Sequence, residues 1–306
     1  MAIEVDGLVK SYKTVTAVDG VSFEVPDGQL FAFLGANGAG KSTTIGCLTT
    51  LLRADAGTVR VAGHDVSTHS EQVRARIGVV FQRSLLDDDL TVRENLALRA
   101  TLSLIDRQRF SRRLGELSLL IELEDVLDRP YGRLSGGQRR RADIARALMH
   151  EPSILFLDEP TAGLDPASRV AVWAAIDRLR SERGLTVFLT THYMAETEDA
   201  DQVTIIDAGR VVASGTPTEL RARHSPSVLT ITTRDPDAMT GLAARGGLSA
   251  RRDGGILTIE VPDARAARHL LVAHGDDVLD FEFRHGRMDD VFLALTGRGM
   301  LDQDAA

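Results

Sequence analysis

The sequence predicts an α/β protein, with a core built on a mostly parallel sheet, a helical insertion and a small C-terminal α+β unit. Three observations point to it. Apolar runs of strand length alternate with helix-type stretches before residue 81 and again after residue 154. Between about 85 and 150 the strand signals vanish and helical periodicity replaces them. Beyond a polar, proline-containing boundary at 222–227 the order becomes strand, helix, strand, strand, helix, strand, the order of a ferredoxin-like unit.

Residues 3–5, 21–25 and 29–34 are rich in β-branched and aromatic side chains and read as strands. Glycines from Gly35 to Gly40 break the pattern, and a helix is expected from Lys41 to about Leu52. Residues 59–61 and 77–81 are further strands. In the insertion, Leu114, Leu117 and Ile121 recur at helical spacing, as do Leu120, Leu123 and Leu127. Residues 154–157 are apolar throughout, as suits a central parallel strand covered on both faces. A helix at 170–180 and strands at 186–190 and 203–206 complete a first domain placed at 1–222. The second domain, 226–298, is read as strands at 228–232, 248–251, 256–261 and 278–283. Its helices fall at 237–244, 264–273 and 289–295, and 299–306 form a tail.

The 306 residues are 43% hydrophobic and 26% charged, ordinary values for a folded chain with a real core. A net charge of -8 disfavours general nucleic-acid binding by long-range repulsion, so no nucleic-acid partner is expected. Arg139-Arg140-Arg141 is the one candidate basic patch, with a solvated helix face as its plainer reading. The single cysteine, Cys47, cannot form an internal disulfide and reads as a small buried hydrophobe. The opening stretch carries acids and lacks an apolar core, so no secretory leader is expected. No run approaches the roughly 18–20 apolar residues that span a bilayer. Any membrane role must then work through a partner.

Two motifs carry chemistry by themselves. The stretch Gly35-Ala36-Asn37-Gly38-Ala39-Gly40-Lys41-Ser42-Thr43 fits the phosphate-binding loop, between a strand and a helix. Its glycines let backbone N–H groups turn inward around phosphates, and the helix that follows adds its positive end. Lys41 can reach the β- and γ-phosphates and the Ser42 hydroxyl can hold Mg²⁺. The apolar run at 154–157 ends in Asp158 and Glu159. Beyond the carboxyl end of a parallel strand, Asp158 is placed to bind Mg²⁺ and Glu159 to act on the attacking water as general base. Such a pair by itself is usually a turn; the phosphate loop upstream gives it a function.

A third stretch, Leu134-Ser135-Gly136-Gly137-Gln138, opens a helix. Ser135 suits an N-cap, and a Ser-Gly-Gly turn at a helix start is also an anion site. With this stretch the sequence resembles the ABC ATPase family, over about residues 1–220. The resemblance implies a head-to-tail homodimer with ATP at the interface, in which Ser135, Gly136, Gly137 and Gln138 of one subunit cover the γ-phosphate held by the other. It also implies roles for four more residues. Gln82 matches the glutamine that senses Mg²⁺ and the attacking water, Asp165 the aspartate of the D-loop, His192 the histidine that contacts the γ-phosphate, and Tyr12 the aromatic that stacks on adenine. Ala36 departs from the proline of many relatives, at a position that points away from the phosphates in the family pattern.

Gly163-Leu-Asp-Pro166 through Arg169 and Trp173, with Asp289-Asp-Val-Phe-Leu-Ala-Leu-Thr-Gly297, look like the daunorubicin-resistance type of drug-export ATPase. That likeness implies a separate multi-spanning permease, a place at the cytoplasmic face of the membrane, and export of a small molecule. Residues 82–95 are the expected contact for the permease; Asp87-Asp88-Asp89 within them is equally a solvated loop. A soluble ABC ATPase of translation generally carries two ATPase halves, and this chain has one phosphate loop. A DNA-repair ATPase separates its motifs by a long coiled coil, and the insertion here is too short.

Overall fold

The computed structural model describes residues 1–297; the expected tail, with residue 298, lies outside them. The chain falls into two compact units, Met1–Ser214 and the residues from Gly215 onward.

The first unit is built on a six-stranded sheet in the order Arg210–Gly215, Gln202–Asp207, Leu30–Leu34, Thr186–Thr191, Ile154–Asp158, Ile77–Val80. The last five strands pair in parallel. Spatial neighbours are distant in sequence, so the connections cross over through helices, as parallel pairing requires. Leu30–Leu34 is buried at every position, which explains its lack of alternation. Phe31 and Phe188 stack with centroids 5.3 Å apart, and Phe156 lies 5.4 Å from Phe188. A four-stranded antiparallel sheet, in the order Val15–Val25, Ile3–Tyr12, Ala56–Val61, His64–Asp65, joins this cluster through Phe23, 5.3 Å from Phe31.

The helical insertion holds Val92–Leu102, Arg107–Leu120 and Gly136–Leu148, with no named strand between Val80 and Ile154 among the described residues. Thr91 and Glu94 form a capping box, and Asp106 caps the second helix. The second apolar repeat is not one helix. Glu122, at φ 55, turns the chain out of helical geometry, and Leu123 and Leu127 are buried from the segment that follows. The arginine triplet is neither a solvated face nor a basic patch. Arg140 is only 7% exposed, Arg139 donates to the carbonyls of Gly132 and Leu134, and Arg141 pairs with Glu122.

In the second unit the sheet order is Ala250–Asp253, Ile256–Val261, Ser227–Thr233, Val278–Arg284, antiparallel throughout. This is the ferredoxin-like order. Leu229, Ile231, Leu257 and Ile259 pack on one face against Met239 and Ala243 of Pro236–Arg245 and Ala267 and Leu270 of Ala264–His274. Two further helices, Pro217–His224 and Met288–Thr296, pack on each other. The first begins with the capping box Thr216/Glu219 and Pro at its first turn.

Candidate active site

Strand register gathers the motifs. Val80 pairs with Leu157, Asp158 with Thr190, and Thr191 with Leu34. The residues that follow these ends therefore leave the sheet along one edge, its carboxyl edge, where ligands of α/β sheets sit.

The phosphate loop is braced by backbone. Gly38 (φ 79) and Gly40 (φ 109) adopt conformations that L side chains rarely hold. A Cβ at Gly35 would lie 2.6 Å from the Ile206 carbonyl oxygen, and one at Gly40 would run into the Ala17 carbonyl oxygen. Gly209 N donates to Ala39 O at 3.0 Å, and Asp19 N to Gly209 O at 2.8 Å. Asn37, Gly38 and Ser42 face solvent and Thr43 is half-buried, whereas Lys41, which opens the helix Lys41–Leu48, is 4% exposed. Its Nζ donates to Gly35 O (2.7 Å) and Ala36 O (3.0 Å) and stands 3.5 Å from Glu159 Oε1. Burial pulls the Lys41 pKa down, and the Glu159 carboxylate works against that pull.

Asp158 Oδ1 accepts from Thr190 Oγ1 at 2.5 Å and lies 3.5 Å from Ser42 Oγ. Glu159 has φ 47, a conformation that costs a residue with a side chain about 1–3 kcal/mol. Its amide donates to the Thr190 carbonyl and hydroxyl at 3.1 and 3.2 Å. Around its carboxylate stand His192 Nδ1, 3.2 Å from Oε1, Lys41 Nζ, 3.5 Å from the same oxygen, and Gln82 Nε2, 3.3 Å from Oε2. The His192 contact and then the Lys41 charge hold this carboxyl below the usual range, so it is ionised at neutral pH and able to accept a proton. Gln82 and His192 thus meet Lys41 at one point.

A second group lies apart from these contacts. Ser135 caps Gly136–Leu148 in a box with Gln138. A Cβ at Gly137 would lie 2.6 Å from Ser168 Oγ and 3.2 Å from Ser168 Cα, so close packing calls for this glycine, whereas one at Gly136 would meet only the end of the Leu164 side chain, at 2.9 Å. Asp165 caps Pro166–Arg183 by accepting from Ser168 N at 3.0 Å. Ser135, Gly136 and Asp165 are exposed. Tyr12, 45% exposed, ends its strand with Lys10 Nζ 5.8 Å over its ring.

The oxygens of Ser42 and Asp158 fit a hard cation, which prefers oxygen ligands. Among the described residues no cluster of three or more His, Cys, Asp or Glu could hold a metal. A Mg²⁺ between these two side chains would complete its shell with phosphate oxygens and water.

Sequence reasoning missed three residues. Thr190 donates to the Asp158 carboxylate and accepts from the Glu159 amide. Buried Glu196 accepts from Thr161 and Thr191, joining the loop after Glu159 to the one that carries His192. Arg140 donates to Phe81 O (2.5 Å), Asp158 O (2.9 Å), Glu159 O (2.7 Å) and Pro160 O (2.6 Å). A helical wheel carried the signal for Arg140, which shares the buried stripe of Gly137, Ile144 and Ala147.

A phosphate loop, two carboxylates on the next strand but one and a separate Ser-Gly-Gly helix start define a P-loop ATPase of ABC type. The model of the ABC transporter family matches residues 18–162. Daunorubicin/doxorubicin resistance ATP-binding protein DrrA of Streptomyces peucetius is 42% identical, over 97% of this chain and 92% of its own length. Nod factor export ATP-binding protein I of Paraburkholderia xenovorans is 40% identical, over 98% and 99%. A dimeric ATP-binding cassette in a post-hydrolysis state, bound to ADP and Pi, is 26% identical with a TM-score of 0.63, over 70% of this chain and 98% of its own. The chain belongs to the ABC transporter family as an ATP-binding subunit that hydrolyses ATP.

Proposed function

We propose that this subunit powers export of a small molecule, of drug, antibiotic or lipid-like type, through a separate multi-spanning permease at the cytoplasmic face of the membrane. The drug-resistance and Nod-factor-export names of similar chains support the direction of transport. No helix among the described residues is long and apolar enough to cross a membrane, so a permease would supply the path.

The observation that carries the catalytic reading is the meeting of Lys41, Gln82 and His192 around ionised Glu159. Lys41 and the loop amides hold the β- and γ-phosphates. Ser42 and Asp158 would hold Mg²⁺, which offsets phosphate charge when bound. Glu159 takes a proton from the attacking water, with His192 and Gln82 orienting the groups around it. Tyr12 stacks on the adenine. Ser135, Gly136, Gly137 and Gln138, near Asp165, close over the nucleotide of a second copy, and the exposure of Ser135 and Gly136 fits that role. Two ATP molecules then hold the homodimer shut, and hydrolysis lets it open.

The test is a pull-down of Glu159→Gln from detergent-solubilised host membranes with ATP present. A stoichiometric multi-spanning membrane protein supports the proposal. Ribosomal or DNA-bound proteins, without a membrane subunit, would overturn the transport reading and leave the ATPase standing.

A further inference from the structure

We propose that Arg140 is the positioning residue that ties the helix opened by Ser135 to the turn carrying Glu159, so that one chain's two nucleotide contacts move as a unit. This rests on the reading of Glu159 as base and of Ser135 as a contact to the second copy's nucleotide.

Arg140 lies five residues beyond Ser135, inside the same helix, Gly136–Leu148. Its planar guanidinium fork donates to four backbone carbonyls, those of Phe81, Asp158, Glu159 and Pro160. Phe81 immediately precedes Gln82, so the fork fixes the chain on both sides of the Gln82–Glu159 contact. Glu159 itself sits at φ 47 and does not hold that conformation unaided. Thr190 binds its amide and Arg140 its carbonyl. On the far side, Glu196 joins Thr161 to Thr191. The catalytic turn is therefore gripped between two buried charged side chains, and only Arg140 belongs to the helix that starts at Ser135. A shift of that helix pulls directly on the carbonyls of Phe81 and Glu159. Lysine cannot replace this grip, because a single ammonium with three donors cannot span four carbonyls at the ends of two strands.

The experiment compares full-length wild type, Arg140→Lys, Arg140→Gln and Glu159→Gln. Steady-state hydrolysis, fluorescent-ATP affinity and melting temperature are measured on each. In both Arg140 variants kcat is expected to fall on the order of 10- to 100-fold, as for a displaced catalytic group. Nucleotide affinity should stay within about twofold, because no phosphate contact is lost. A purely architectural arginine would instead lower the melting temperature and leave kcat per folded molecule unchanged, and that result overturns the proposal. So does an equal loss of affinity and kcat, or failure of both variants to fold. Brisk hydrolysis by Glu159→Gln sinks the reading of the base. Wild-type kcat in folded Arg140→Lys, with Glu159→Gln inactive, sinks this proposal alone.

Discussion

His192 Nδ1 stands 3.2 Å from Glu159 Oε1, the oxygen that Lys41 Nζ also faces at 3.5 Å. One carboxylate oxygen thus serves two potential donors, while Gln82 holds the other. Incoming phosphate would compete for Lys41, which now donates to the loop's own carbonyls. The carboxylate would then be left to His192 and Gln82.

Glu159→Gln should keep nucleotide binding and lose turnover by about 10²–10⁴-fold, the usual worth of a positioned acid–base group. Steady-state phosphate release beside a binding titration checks this. Rapid release by the variant removes Glu159 from the role of base.

Lys41→Ala should weaken ATP binding roughly 10- to 100-fold, since a hydrogen bond to a charged group contributes about 1.5–3 kcal/mol. A fluorescent-ATP titration reads it. Unchanged affinity would show that the loop amides bind the phosphates without the lysine.

The depressed carboxyl of Glu159 fixes the sign of a pH effect. Its ionised form adds stability that is complete above the ordinary value of 4.5 and is lost as pH falls through the lower folded value. The melting-temperature difference between wild type and Glu159→Gln should shrink as pH falls below the ordinary carboxylate range. A difference that stays unchanged through that range would contradict the assignment.

Gly137→Ala should destabilise the fold by about 1–3 kcal/mol, the cost of overpacking. The new Cβ would lie 2.6 Å from Ser168 Oγ and 2.7 Å from Ser168 Cβ. Thermal unfolding tests it, and an unchanged melting temperature would mean that the Pro166–Arg183 helix yields easily.

Cys47 is buried, and burial pushes its thiol up to about 11. The native protein at neutral pH should resist a disulfide-exchange reagent that counts one thiol after unfolding. Prompt native-state reaction would show that the helix Lys41–Leu48 opens locally.

The chemistry was legible where it is contiguous. The phosphate loop is a short run whose pattern implies phosphate binding, and it lends a metal-binding reading to the Asp158-Glu159 pair, which alone reads as a turn. Gln82 and His192 came from family likeness, since a lone glutamine or histidine at a strand end carries no pattern. The parallel core and the βαββαβ order were visible in periodicity. Thr190 and Glu196 were not, and a helical wheel shows only that Arg140 is buried, because the roles of all three lie in contacts with residues far away in sequence. Composition suggested a solvated triplet at 139–141, yet burial selects Arg140 because carbonyls at two strand ends need a donor. The turn at Glu122 and the helix at Pro217–His224 escaped for a local reason: a positive φ without glycine and a short polar helix leave little trace.

The contacts under the phosphate loop enlarge the territory that governs nucleotide affinity. Ala17, Ile206 and Gly209 touch the loop through main-chain atoms or press against its glycines. Changing their side chains leaves those main-chain contacts in place. Lengthening the chain would not. One residue inserted at Ala208-Gly209, where the chain turns between Gln202–Asp207 and Arg210–Gly215, would push the Gly209 amide off Ala39. An ATP site ruined from a surface turn some 170 residues away in sequence would carry an intact motif and look, by its own residues, fully competent.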